Sequence, residues 1–303
     1  MGMCHKKRRT ANTWPWIVAS LVGWGALVCA PAVAAGQPPG KNRGLVSIDF
    51  CADQYLLGLA SKEEIQAVSF EASGPQSYYG ARAEGVATVK GSMEEILLMQ
   101  PRFVLRTWRG GPRAKEIMAR AGIPSFQAPY AMGIEGNIKS FAVVGERLGK
   151  ADAAKAFVKE NLARLAALRS LERFNLKAVY MTPSGFTAGR GTFVDDIIKL
   201  AGFDTIAEDA GINFWMSLPL EKIVKSPPDF VVATFFGDPD VHVSHWSGGR
   251  HGIYKQLMGD LPTIHVPSRY LSCGGAFAVD AAEYIRSEAH VLGLVRKEGA
   301  AGD

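Results

Sequence analysis

The sequence predicts an α/β fold of two similar lobes joined by a helical connector, and three observations carry that prediction. Short runs of β-branched and aromatic residues alternate with amphipathic stretches, the pattern of strands crossed by helices. A helix-proline-strand unit occurs once in each half of the chain. Between the two copies lies a long segment of strong helix formers, with no flexible Gly/Ser linker.

Residues 1–34 read as a secretory signal. Lys6, Lys7, Arg8 and Arg9 form a basic start, an apolar stretch follows from Trp14 to Ala30, and Ala32-Val33-Ala34-Ala35 fits a small-residue cleavage site. The apolar stretch is short for a bilayer span of about 20 residues, which argues against a retained anchor. Cys29 invites lipidation, but the bulky Val28 before it argues against a lipoprotein. The reading predicts a periplasmic protein. The whole chain carries a formal charge of +5, yet 30 basic and 29 acidic residues remain once this segment is removed. A near-neutral chain leaves no basic stripe for phosphates, so no nucleic-acid partner is expected.

An N-terminal lobe is expected over residues 42–135. Leu45-Val46-Ser47-Ile48 reads as its first strand, and Ala52 to Leu59 as a helix with Tyr55, Leu56 and Leu59 on one face. Ile65 to Val68 reads as a second strand, and Glu71 to Gly80 as a loop by composition. Met93-Glu94-Glu95-Ile96 then opens the first repeat unit, which passes through Pro101 into the strand Phe103-Val104-Leu105.

A connecting helical region covers residues 137–173. Asn137 to Leu148 is one candidate helix, interrupted by Gly149; Ala151 to about Arg173 is a second, striped by Phe157, Leu162, Leu165 and Leu168. At about 1.5 Å per residue the second helix runs about 30 Å, enough to cross between lobes. Its stiffness predicts little motion of one lobe against the other.

A C-terminal lobe is expected over residues 176–272, followed by a helix over 276–296. Leu220-Glu221-Lys222-Ile223 leads through Pro228 into Phe230-Val231-Val232, with the proline seven places after the first glutamate, as in the first copy.

The chain resembles the periplasmic substrate-binding proteins of iron-siderophore and cobalamin ABC importers. The resemblance rests on Leu45 to Gln54, on Gly91-Ser92-Met93-Glu94-Glu95-Ile96 with Gln100-Pro101, on Pro219 to Ile223, and on Leu271-Ser272-Cys273-Gly274-Gly275. It implies two Rossmann-like lobes joined by a single long backbone helix, with the ligand in the cleft between them. It also implies that one exposed glutamate per lobe docks onto the importer's membrane subunits. By position these are Glu94 and Glu221, with Glu95 and Glu84 as alternatives to Glu94. Carboxylates at such a rim steer encounter and fix register more than they add affinity.

In open α/β sheets, ligands bind beyond the carboxyl ends of strands. The segments that follow the expected strands therefore supply the candidate ligand contacts: Asp53 within Phe50 to Gln54, Tyr78, Tyr79, Trp108, Arg109, Tyr130, Phe186, Phe214, Trp215, Phe236, Trp246, Arg250 and Tyr270. Aromatic faces supply rigid contact area, and arginines donate to carboxylate or catecholate oxygens. Phe235 directly extends an apolar strand and is read as core-facing or half-buried. Cys51 and Cys273, the two cysteines left after the signal, are either bridged or two small buried thiols.

Other signals are discounted. His242, His245 and His251 cluster without the converging donors that zinc needs, so no metal site is expected. Gly185 to Gly191 lacks a phosphate-loop pattern, and the chain holds no GxSxG or HExxH. Asp195 and Asp196 are adjacent, so they diverge on a helix and make a poor acid/base pair. The expectation is a monomeric, non-enzymatic binding protein with no cofactor of its own. A ferric siderophore is favoured as ligand because arginines lie beside aromatics; cobalamin and haem are the alternatives.

Overall fold

The computed structural model describes residues 43–131, 133–236, 252–273 and 277–295, which form two α/β lobes. The first runs β1 (Leu45–Ser47), α1 (Phe50–Leu59), β2 (Ile65–Ser69), β3 (Thr88–Val89), α2 (Met93–Met99), β4 (Phe103–Arg106), α3 (Ala114–Arg120) and β5 (Ser125–Gln127). All five strands are parallel, in the order β3-β2-β1-β4-β5. That order reverses between β1 and β4. Their connections leave to opposite faces and open a crevice at their carboxyl ends. Helices cover both faces: Tyr55 and Leu56 of α1 pack on one, Ile96 of α2 and Met118 of α3 on the other.

Two helices follow, α4 (Gly133–Leu148) and α5 (Ala151–Ser170). Each divides its apolar residues between the lobes. Ile134 and Ile138 of α4 join the C-terminal core, while Phe141, Val144 and Leu148 join the N-terminal one. Along α5 the order is reversed: Ala154 and Phe157 meet the N-terminal core, Leu165 and Leu168 the C-terminal core. The pair is therefore antiparallel. A Cβ at Gly145 would lie 2.2 Å from that of Ala154, so glycine is what lets the two backbones close up. The long connecting helix thus runs beside a second helix with the same span. A hydrophobic stripe in a sequence does not say which core it meets, so this sharing was not visible there.

The second lobe comprises β6 (Lys177–Met181), β7 (Phe186–Ala188), α6 (Phe193–Leu200), β8 (Asp204–Thr205), β9 (Trp215–Ser217), α7 (Leu220–Lys225), β10 (Phe230–Ala233), α8 (Gly252–Asp260), β11 (Thr263–His265), α9 (Ser268–Leu271) and α10 (Ala278–Val291). Its main sheet is parallel, in the order β11-β10-β6-β8. An antiparallel ribbon of β7 and β9 stands apart from it. The Tyr254 hydroxyl holds the ribbon's base, 2.9 Å from the Leu218 carbonyl oxygen and 3.2 Å from that of Gly185.

The strand-end loops of the two lobes touch. A disulfide joins Cys51, just after β1, to Cys273, after α9, with Cα atoms 5.4 Å apart. Ser268 donates to the Pro75 carbonyl at 3.4 Å, and the Tyr78 ring stacks on Phe277 at 3.8 Å. The carboxyl ends of both sheets therefore meet at one junction. Among the described residues, no helix is long and apolar enough to cross a membrane.

Candidate functional site

A pocket of about 250 Å³ opens at the switch point of the first sheet. Its wall comes from Cys51, Gln54 and Tyr55 after β1, Thr107 and Trp108 after β4, Gln127 to Ala131 after β5, Asn137 and Phe141 of α4, and Cys273. None of these described lining residues carries a charge. Their amides are also committed to the protein. Gln54 donates to Phe50 O and Ser77 Oγ and accepts from Tyr79 N. Gln127 donates to Thr107 O and accepts from Arg106, and Asn137 donates to Ala131 O and Gly133 O. What remains for a ligand is mostly aromatic and aliphatic surface, with Trp108 56% and Tyr130 89% exposed.

A buried carboxylate positions that surface. Asp49 caps α1 by accepting from Ala52 N at 2.9 Å. Its other oxygen accepts from the backbone N–H groups of Thr107, Trp108 and Arg109 at 2.8, 3.3 and 3.4 Å, and the Thr107 hydroxyl donates to the oxygen that caps α1. One side chain thus fixes both the start of α1 and the turn that carries Trp108. Sequence reasoning missed Asp49. The signal was an acidic residue one place before the helix, at the N-cap position.

Arg109 occupies a built seat. Its guanidinium carbon lies 4.8 Å from the Trp108 ring and 5.3 Å from the Phe70 ring, and a nitrogen pairs with Glu71 at 2.8 Å. Gly91, at φ 77°, makes room beneath: a Cβ there would lie 2.9 Å from Arg109 Cδ and 2.8 Å from Ile48 O. Phe70, itself 54% exposed, and Glu71 also line a second cavity of about 460 Å³, with Phe50 and residues 73–76. Phe70 thus lines this cavity and Trp108 the first, and the Arg109 guanidinium lies against both rings.

Several expected contacts lie elsewhere. Asp53 is a correction: it is fully buried, accepting from Ser47 Oγ and from the backbone and hydroxyl of Ser69. Burial pushes its carboxyl up to about 6. Its place in α1 turns it under the sheet instead of towards the pocket. Tyr78 and Tyr79 are likewise outside the pocket wall. Tyr78 stacks on Phe277, and the Tyr79 ring fills the space beside Gly58. Tyr270 is half-buried between Tyr78 and Tyr284.

In the second lobe, Phe186, Phe214 and Trp215 are 46%, 65% and 47% exposed, all on or beside the β7–β9 ribbon. Trp215 lies edge-on to Tyr180 at 5.9 Å. Phe214 and the half-buried Phe235 have φ of 53° and 67°, a region that costs a bulky residue free energy and recurs at binding sites. Phe236 is 38% exposed, edge-on to His265. Trp246, Arg250 and the three clustered histidines lie outside the described residues.

Glu94 and Glu221 occupy the first turns of α2 and α7 and are exposed. Among the described residues no hydrogen bond or ion pair engages either carboxylate. Glu95 differs, because it accepts from Lys90 N and Gly91 N.

Comparison with known proteins gives this geometry a family. A cobalamin-binding protein of Halobacterium salinarum is 26% identical over 200 residues, covering 64% of this chain and 54% of the relative. The chain thus matches about half of that relative's length. Among solved structures, the periplasmic haem-binding protein HutB of Vibrio cholerae superposes with a TM-score of 0.66 at 16% identity, over 82% of this chain and 100% of that one. The apo form of RhuT, a periplasmic haem-binding protein of Roseiflexus sp. RS-1, gives 0.61 at 21% identity, over 82% and 99%. These likenesses show the two-lobe fold. The model of the family described as periplasmic binding protein matches residues 45–236, more than half of the chain, and the chain therefore belongs to the periplasmic binding protein family.

Proposed function

We propose that this protein is exported to the periplasm, captures a corrinoid between its lobes, and presents it to an ABC importer without acting as an enzyme. One observation carries the choice of ligand: the described wall of the switch-point pocket is aromatic and uncharged, and the arginine beside it is already paired with Glu71. A corrinoid offers a large, flat, neutral face that suits such a wall, whereas an anionic ferric chelate needs unpaired cations. The sequence alone favoured a ferric siderophore because Arg109 stands next to Trp108; the ion pair reverses that preference. A relative named for cobalamin binding agrees with the corrinoid reading. The pocket of about 250 Å³ falls below the ~300–1,000 Å³ of enclosing sites. It serves as one wall of a cleft whose other wall is the aromatic ribbon of the second lobe.

The Cys51–Cys273 bridge suits an oxidising compartment, and the signal-like first 34 residues supply the route. Glu94 and Glu221, exposed and unengaged, suit docking onto cationic groups of the membrane subunits. Titration of the protein with cyanocobalamin, a ferric tris-catecholate and haemin, read by tryptophan fluorescence, tests the ligand. Saturable quenching by cyanocobalamin alone is expected; binding of haemin or the ferric chelate in its place overturns the corrinoid assignment. Reversing both glutamates should abolish transport and leave ligand affinity intact. Survival of transport removes the docking assignment.

A further inference from the structure

The geometry points to Glu71 as a charge filter that keeps anionic solutes from using Arg109. This inference rests on the cleft proposed above as the ligand site, and it names a residue that sets which ligands the cleft accepts.

Arg109 has the geometry of an anion receptor. Its guanidinium lies over two aromatic rings, Phe70 and Trp108, at 5.3 and 4.8 Å, each more than half exposed. Its stem passes over Gly91, where any side chain would collide with it. The backbone of Arg109 is anchored through the buried Asp49. Such a stack holds the fork in one orientation, so little entropy is lost when an oxyanion binds. A carboxylate of the protein already takes that place: Glu71 lies 2.8 Å from the guanidinium, and the two side chains are only 34% and 19% exposed.

Glu71 therefore acts on selectivity in two ways. It neutralises Arg109, which removes the attraction for a negatively charged ligand. It also occupies the face of the guanidinium that an incoming carboxylate or catecholate would need, so such a ligand has to displace it. A neutral ligand stacking on Trp108 and Phe70 meets neither effect. Removing the Glu71 charge while keeping its shape uncovers the receptor.

The test compares the wild-type protein with Glu71→Gln and with Glu71→Gln/Arg109→Gln, using a trianionic ferric tris-catecholate and neutral cyanocobalamin as probes. Glu71→Gln should bind the ferric complex about tenfold more tightly than wild type or better. The gain should shrink in high salt and vanish in the double variant. Affinity for cyanocobalamin should change by less than about threefold in Glu71→Gln. Melting midpoints establish that all three proteins are folded, and the partial exposure of Glu71 makes that the expected result. Unchanged affinity of Glu71→Gln for the ferric complex overturns the filter, as does a gain that persists without Arg109. If the anion gain appears while cyanocobalamin binds neither protein, the filter stands and the corrinoid assignment falls.

Discussion

The two walls of the proposed cleft are built differently. On the N-terminal side, the turn carrying Trp108 hangs from a buried carboxylate and faces a disulfide, so main-chain N–H groups and a covalent bond fix the aromatic surface. On the C-terminal side, Phe186, Phe214 and Trp215 ride on a two-stranded ribbon, an arrangement of marginal stability by itself. Here it is held at its base by the Tyr254 hydroxyl and by close approach at Gly189, where a Cβ would lie 2.4 Å from Ile212 O. The comparison teaches that one wall is shaped before a ligand arrives and presents a fixed template. The other relies on a few local contacts to present its aromatics.

The largest expected effect breaks the fixed wall. Asp49→Ala strips acceptors from the buried or half-buried N–H groups of residues 52 and 107–109 and removes a helix cap. It should cost about 3–5 kcal/mol in denaturant unfolding and abolish ligand binding. A loss under about 1 kcal/mol would contradict the template picture. Reducing the Cys51–Cys273 bond, or replacing both residues by serine, should lower stability by about 2–4 kcal/mol. A redox-insensitive melting curve would show that the bond contributes nothing to the wall.

A pH effect of comparable size sits under the same lobe. Burial raises the Asp53 carboxyl from 3.8 to about 6. The folded state then holds this proton more tightly than the unfolded state does. The contribution is fully present below about pH 4 and lost as pH rises to about 6, up to about 3 kcal/mol for two pH units. Asp53→Asn should remove that slope; an unaltered pH profile for this variant refutes the assignment.

Smaller effects sharpen the contrast between walls. Trp108→Ala should weaken ligand binding about 10–100-fold with little change in stability, because the ring is exposed but centrally placed. Tyr254→Phe should cost about 1 kcal/mol and weaken binding less than Trp108→Ala does. Equal losses in the two variants, read by fluorescence titration, would erase the distinction between a fixed wall and a locally held one.

Much of the architecture was legible in the residues. The strands at Leu45, Phe103 and Phe230 announced themselves as apolar runs, and the duplicated helix-proline-strand unit gave two lobes. Parallel strands are buried on both faces, which is why they read so clearly. The short edge strands β3 and β8 and the ribbon did not, because two or three residues carry no period. At the site, Trp108 and Tyr130 followed from their place after strands. The Arg109–Glu71 pair did not, since its members are separated by 38 positions and meet only through the sheet. Asp53 misled for a related reason. Its neighbours in sequence reach the pocket, but the helical turn points this one side chain inward, to two serines that a linear reading cannot bring together.

The antiparallel pair α4 and α5 has a consequence for how the molecule comes apart. Neither lobe owns a complete hydrophobic interior, because each borrows half a helix from both members of the pair. Separating the chain at the Gly149-Lys150 bend would leave two fragments, each with a strip of bare core. Calorimetry should accordingly record one melting transition for the whole body instead of two, and neither half is expected to fold when expressed by itself.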